Sequence, residues 1–249
     1  MEELIRQAAG ILAAKRNVVA LTGAGISVES GIPPFRGKGG LWEKIDPMQY
    51  AHIDAFLKDP AEVWEVLIKS MKEVLDRARP NAAHQALYRL ERLGILKTII
   101  TQNVDGLHQA AGSTDVIEFH GSFAVQRCMD CQASFDTGSL ELDSLPPLCR
   151  CGGVLRPDVV FFGEMIPPNH LKRSQLLSAA CEAMLVIGTS ATVEPAAYMP
   201  VIAKRSGAVI IEINPEPTPL TGEITDLALM GKAGRVMSRL AEQVEKLMA

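Results

Sequence analysis

Short apolar runs alternate along this chain with segments of helical period. The runs at 18–22 (VVALT), 97–101 (KTIIT), 159–162 (VVFF), 184–187 (MLVI) and 208–213 (AVIIEI) carry apolar residues on both faces and predict buried strands. Between and around them lie one-sided apolar faces at helical spacing. Leu4, Ile5, Ala8, Ile11 and Leu12 form the first, and Ala83, Ala86, Leu87, Leu90 and Leu93 the second. Leu176, Leu177, Ala180, Cys181 and Met184 predict another helix, and Val236, Leu240, Val244 and Leu247 a closing one. Strand and helix in alternation predict an α/β fold built on a doubly wound, mainly parallel sheet of Rossmann-like type.

Two stretches break the rhythm. Residues 37–79 read as helical, with Asp59-Pro60 opening a periodic segment that contains Val63, Leu67 and Met71. Residues 122–156 hold four of the five cysteines and little periodicity. The expected organisation is therefore a large domain from 1–36, 80–121 and 157–249, and a small domain from 37–79 (helical) and 122–156 (cysteine-bearing).

Composition narrows the function. At 249 residues the chain is long enough for one α/β domain and a small second one. A net charge of −4 with no basic stripe argues against a nucleic-acid partner and leaves a basic peptide as the more natural one. No apolar run reaches membrane-spanning length, and the first fifteen residues lack the apolar core of a signal peptide, so a cytoplasmic location is expected. The pattern leaves the oligomeric state open.

Candidate chemistry collects just after the predicted strands, where open α/β sheets bind their ligands. Gly23-Ala24-Gly25 follows the first strand, and glycines there let a backbone approach a phosphate. Val28 stands where a dinucleotide fingerprint would carry its third glycine. A Gly/Pro-rich loop with Phe35 and Arg36 comes next. Gln102, Asn103 and Asp105 follow the second strand and suit ribose hydroxyls or an amide, although any one of them could be a local turn cap. Gly188-Thr189-Ser190 and Asn214-Pro215-Glu216 end two later strands. His120, ahead of Gly121, titrates near neutrality and suits a general base with room for substrate beside it.

Cys128-x2-Cys131-x17-Cys149-x-Cys151 has two close pairs with a loop between, as a tetrahedral zinc site requires. No histidine lies between 121 and 169, so Cys151 completes the set by elimination. Four thiolates leave no open coordination position, and the zinc is expected to be structural. Cys181 sits on a predicted helical face and reads as core.

GAGISVESGIPPFRG at 23–37, TQNVDGLH at 101–108, His120-Gly121, the four cysteines, VVFFGE at 159–164, GTS at 188–190 and Ile213-Asn214 occur in an order that resembles the sirtuin family over nearly the whole chain. The resemblance implies a Rossmann-like domain with a helical and zinc-ribbon small domain. It also implies an enzyme that transfers the acyl group of lysine to the ADP-ribose of NAD and releases nicotinamide, with NAD as co-substrate and acyl-lysine peptides as partners.

By the same resemblance, His120 and Asn103 would be catalytic, His120 deprotonating a ribose hydroxyl and Asn103 standing near the ribose. Gly23, Ala24 and Gly25 would cradle the pyrophosphate, Phe35 cover the ribose and Arg36 order the cofactor loop. Ile32, Asn103 and Asp105 would form the nicotinamide pocket, and Gln102 would touch a ribose. Gly188, Thr189, Ser190, Asn214, Glu216 and Lys232 would lie along the adenosine half. Phe35, Val104, Val160 and Phe162 would line the lysine tunnel. Val160, Phe162, Gly163 and Glu164 on one side, and Val193 and Glu194 on the other, would flank a peptide added as a strand. Relatives that remove acidic acyl groups carry a Tyr followed three residues later by an Arg; here Leu67 and Ser70 stand in that place.

Two rival readings compete. A hydride-transferring dehydrogenase would want the third glycine and an acid about twenty residues on. A non-catalytic zinc-ribbon module would leave the polar strand ends without a purpose.

Overall fold

The computed structural model describes residues 1–34, 40–43, 45–140 and 142–249. A six-stranded sheet forms the core, entirely parallel, from β1 (Val18–Thr22), β2 (Leu96–Thr101), β3 (Val116–Glu118), β7 (Ala183–Ile187), β8 (Val209–Asn214) and β9 (Leu227–Met230). Its order is β3-β2-β1-β7-β8-β9. The two central strands are buried along their whole length, which is why they read as unbroken apolar runs.

Side chains alternate across the sheet. Val18 and Ala20 join one apolar layer with the helices Glu2–Ala14, Ala82–Arg92 and Ala233–Met248; Val19 and Leu21 join the other with Met184, Met199 and Ala203. From β1 the chain winds outward to β2 and β3 on one side, and β7, β8 and β9 extend on the other. The strand order therefore reverses between β1 and β7, which opens a crevice at their carboxyl ends.

A second, antiparallel sheet runs β5 (Ser134–Asp136), β4 (Gly121–Cys128), β6 (Leu155–Val159). Its strands β4 and β6 cross the positions 121–122 and 156–157 at which the sequence suggested a change of domain. The helical segment packs against this sheet: Phe56, Val63, Trp64 and Ile68 share an apolar cluster with Phe123 and Phe161, and the Trp64 indole N–H donates to the Leu155 carbonyl at 2.9 Å. Helix Pro60–Val63 passes into helix Lys69–Arg77 through a π-helical turn at Trp64–Ile68, a geometry that re-aims side chains and recurs at functional sites.

Two expectations need correction. The run at 159–162 is not a strand of the parallel sheet. The strand is β6, antiparallel and at an edge, where Pro157 costs no ladder bond; Phe161 enters the apolar cluster instead, and Phe162 bridges to His52. The helix Pro168–Ala180 does not bury Leu176, which is 62% exposed, and Met184 belongs to β7. The fully buried positions are Ser174 and Ser178, beside half-buried Leu171 and Leu177, a pattern invisible to an apolar count. Cys181 is buried as expected, and burial pushes its thiol up to about 11. No helix among the described residues is long and apolar enough to cross a membrane.

Candidate active site

A cavity of about 860 Å³ opens at the crevice. One end is walled by residues at the carboxyl ends of the parallel strands: Gly23, Ala24 and Gly25 after β1, Gln102 and Asn103 after β2, Gly188, Thr189 and Ser190 after β7, and Asn214, which ends β8, with Glu216 beyond it. Its other end is apolar, with Leu67, Ile68, Met71, Val104, Phe123 and Phe161. His120, Val160, Phe162, Gly163, Glu164, Val193 and Glu194 also line it. Nearly every residue singled out from the sequence therefore meets in one space. A smaller cavity of about 110 Å³ adjoins it, with Ile32, Asp105, Ser70 and Met71 on its wall and Asn103 and Val104 shared between the two. Lys232 lines neither cavity; it precedes the helix Ala233–Met248. Phe35 and Arg36 lie outside the described residues.

The glycine turn is packed as tightly against protein as a turn can be. Gly23 and Gly25 donate through their backbone N–H to the carbonyls of Ile187 and Gly188 at 3.0 and 2.8 Å. A Cβ on Gly25 would stand 2.7 Å from the Cα of Gly188, which itself adopts a positive φ of 60°. Residues Ala24–Ser30 form a 3-10 helix that starts at this contact. Gly121 likewise has a reason other than substrate access: a Cβ there would lie 2.1 Å from the Asp158 carbonyl, where β4 meets β6.

Beneath the turn is a buried polar network. The Asn103 amide nitrogen donates to the Gly23 carbonyl (3.2 Å) and to the Ser27 hydroxyl (3.1 Å), and Ser27 donates to Asp105 at 2.7 Å. The Asn103 backbone N–H bonds Thr101 Oγ1, which also bonds Thr22 Oγ1, and Thr22 in turn meets Nε2 of His108 at 2.9 Å. His84 packs edge-on to His108 with ring centres 4.9 Å apart. Burial holds His84 down at about 4, opposed by the charge of Asp105, and burial holds His108 down at about 3. The sequence assigned roles to Asn103 and Asp105; Ser27, Thr101 and His108 lay within the matching segments at 23–37 and 101–108 without a role, and His84 lay outside them.

Asn103 Oδ1 is buried and accepts no hydrogen bond, an arrangement that costs roughly 1–3 kcal/mol until a donor arrives. A cavity with an orphaned acceptor and small-residue turns at strand ends fits a nucleotide carrying amide and hydroxyl donors. His120 is oriented by its backbone neighbour: Nδ1 lies 3.0 Å from the Gln102 carbonyl, so that nitrogen carries the proton and Nε2 keeps its lone pair. Burial lowers its pKa, against the pull of that hydrogen bond.

The 161–164 edge of the cavity holds one surprise. Glu164 is not a free anion. It takes a bidentate pair from Arg156 at 2.6–2.7 Å and the Phe161 N–H at 2.9 Å, and Arg156 in turn stacks 4.7 Å from the Phe161 ring. Its work is to fix the 161–164 turn.

The four cysteines converge. Their Sγ atoms all lie within 4.8 Å of one another, with Cys128 to Cys151 at 3.5 Å and Cys131 to Cys149 at 3.6 Å. Tetrahedral zinc with ~2.3 Å bonds places sulfurs ~3.8 Å apart, so the set fits that ion. The thiols divide: the backbone N–H of Cys131 draws Cys128 down to about 7, while Cys131, against the pull of the Ala133 N–H, is pushed up to about 12 by its bonds to Cys151, Cys128 and Cys149.

Comparison with known proteins now decides the family. The sequence model of the Sir2 family matches residues 23–195. The chain belongs to the Sir2 family. Within this family, an NAD-dependent protein deacylase 1 of Archaeoglobus fulgidus is 51% identical over 236 residues, which is 94% of this chain and 96% of that one. A solved Sir2 homologue mutant in complex with ADP ribose superposes with a TM-score of 0.93 at 49% identity, covering 97% of each chain. Sir2Af2 bound to a myristoylated histone peptide gives a TM-score of 0.84 at 40% identity, covering 100% of this chain and 99% of that one. The Sir2 architecture, a Rossmann-like sheet with a second antiparallel sheet and a four-cysteine cluster, is the one described above.

Proposed function

We propose that this chain is an NAD-dependent protein lysine deacylase that transfers the acyl group from lysine to ADP-ribose and releases nicotinamide. The observation that carries the reading is the single cavity in which strand-end turns suited to a nucleotide meet an apolar tunnel, with His120 on its wall. NAD, when bound, supplies the acyl acceptor and the nicotinamide leaving group.

The protein's own residues do the rest. Gly23, Ala24 and Gly25 bring backbone close to the pyrophosphate. Gly188, Thr189, Ser190, Asn214 and Glu216 hold the adenosine half, and Gln102 touches a ribose. Ile32, Asn103 and Asp105 hold the nicotinamide amide; the 2.7 Å Ser27 contact fixes Asp105 for it. His120 takes the acceptor hydroxyl's proton at Nε2 while Nδ1–H stays on the Gln102 carbonyl. Val104, Val160 and Phe162 keep water from the lysine tunnel. The peptide adds as a strand between Val160–Glu164 and Val193–Glu194. Cys128, Cys131, Cys149 and Cys151 hold a structural zinc that ties the end of β4 to the 149–151 turn. We assign Phe35, Arg36 and Lys232 the family roles given above. The large and small domains divide near 36/37, 79/80, 121/122 and 156/157. Reduced thiols in the metal cluster support a cytoplasmic location, and the acidic net charge supports peptide rather than nucleic-acid partners.

One assay separates this from its rivals. With NAD and an acetyl-lysine peptide, nicotinamide appears only when the peptide is present. Reduction of NAD by an added hydride-donating alcohol or hydroxy acid, with no peptide-dependent nicotinamide, would indicate a dehydrogenase, and no turnover of either kind by zinc-loaded, folded protein would indicate a binding module.

A further inference from the structure

Glu212 lies on β8 with none of its surface exposed, among Ile210, Ile211 and Ile213. A carboxylate in that place is costly, and its partners are all neutral. Oε1 accepts from the Asn214 amide at 3.1 Å and the Thr218 hydroxyl at 2.5 Å; Oε2 accepts from the hydroxyls of Thr221 and Thr225 at 2.7 and 2.9 Å. Four donors around an acceptor-only group satisfy it.

Three of the donors, Thr218, Thr221 and Thr225, come from the segment that follows β8, and the fourth, Asn214, is the last residue of β8 itself. That segment carries Pro215, Pro217 and Pro219, which cannot donate, and the backbone bonds of Thr221, Glu223, Ile224 and Thr225 close locally on Thr218 and Leu220. Glu212 thus ties the 218–225 stretch to the sheet, while Asp226 fastens the end of the segment through its bonds to the Ile210 backbone at 2.8 and 2.9 Å. Asn214 extends the tie by donating to the Thr189 carbonyl at 3.2 Å. Residues 214–218 line the cavity, whereas Glu212, Thr221 and Thr225 do not.

We infer that Glu212 is a positioning residue for cofactor binding, whose carboxylate sets the 214–218 wall from behind without touching the ligand. The inference rests on the proposal that this end of the cavity takes the adenosine half of NAD.

The test is calorimetric binding of ADP-ribose to full-length, zinc-loaded Glu212→Gln, Thr221→Val and Thr225→Val, with steady-state kinetics beside it. Gln keeps the shape but offers one acceptor oxygen in place of two. ADP-ribose Kd and the KM for NAD rise about tenfold in Glu212→Gln, the equivalent of one 1.4 kcal/mol contact. The kcat at saturating NAD, the peptide KM and nicotinamide inhibition stay within about twofold, because only ground-state holding of one half of the cofactor is lost. The threonine variants weaken ADP-ribose in the same sense and are non-additive with Glu212→Gln. Unchanged ADP-ribose binding in folded Glu212→Gln, or equal losses in kcat and peptide KM, overturns the inference. If Glu212→Gln does not fold, the threonine variants decide: lower stability with an unchanged Kd also overturns it. Asn214→Ala separates the two claims. If it alone weakens ADP-ribose, only the role of Glu212 falls; if it too binds normally, the adenosine assignment falls with it.

Discussion

Nδ1 of His120 and the backbone carbonyl of Gln102 are 3.0 Å apart, and the same Gln102 donates through its side chain to Thr189 Oγ1 at 2.9 Å. The imidazole tautomer is therefore set by a residue that also braces the strand-end turn of β7. Replacing His120 with Ala should lower deacylation by roughly 10²-fold or more while ADP-ribose binding persists, since a general base contributes on that scale. Because burial lowers the pKa of His120, the base stays unprotonated below the usual imidazole range, and kcat/KM should fall only as acid reaches that lowered pKa. Near-normal turnover by folded His120→Ala would remove His120 from the role.

The strand-end clusters were legible because polar residues directly after buried apolar runs have few structural uses. Gly23, Gln102, Asn103, Gly188 and Asn214 stood out for that reason and meet in one cavity. What stayed hidden was whatever depends on two distant segments. Glu164 was expected to flank a bound peptide, and nothing in the sequence marked Arg156 as the partner that takes its carboxylate in a bidentate pair. Glu212 lay unremarked inside the run expected to be a buried strand at 208–213, since its threonine partners lie six to thirteen residues on in a coil without periodicity. Ser174 and Ser178 disguised the buried face of their helix, because its fully buried positions are serines rather than apolar residues.

Acid should destabilise the fold before carboxylates titrate. In the unfolded chain His84 and His108 take up protons near 6.5, but in the folded protein only near 4 and 3. Between these values the unfolded state binds more protons, so stability is complete above about 6.5 and falls as pH drops below it. Melting temperature measured from pH 7 to pH 5 should decline, and His108→Asn, though less stable overall, should decline less steeply. An identical slope in the variant would show that His108 is not a source of the effect.

Removing metal should act on the fold and not on the chemistry. Four thiols within 4.8 Å of one another join the end of β4 to the 149–151 turn, next to the cluster of Cys128, Cys149 and Leu155. Chelation, or Cys128→Ser, should lower the melting temperature and abolish activity through loss of structure, as in other structural zinc sites. Native protein without bound zinc, or metal-free protein of undiminished stability, would contradict this assignment.

Acyl preference follows from what the tunnel lacks. Leu67 lines both cavities and Ser70 the smaller one, so the two positions that the family resemblance matches to the Tyr and Arg of acid-accepting relatives are apolar and neutral here. Lys69, the nearest cation in sequence, is turned to Glu65 at 3.2 Å on the outer face, and Ser70 spends its hydroxyl on the Val66 carbonyl. Among the described residues no lysine or arginine lines either cavity. A succinyl carboxylate would be buried there without a counter-charge, whereas acetyl or a longer neutral chain meets Leu67, Ile68, Met71 and Phe123. Neutral acyl-lysine should therefore be preferred by at least about tenfold in kcat/KM, the value of one missing 1.4 kcal/mol charge-assisted contact. Kinetics on acetyl-, butyryl- and succinyl-lysine versions of one peptide measure this directly, and succinyl removal at an equal or faster rate would mean that a cation reaches the tunnel from elsewhere.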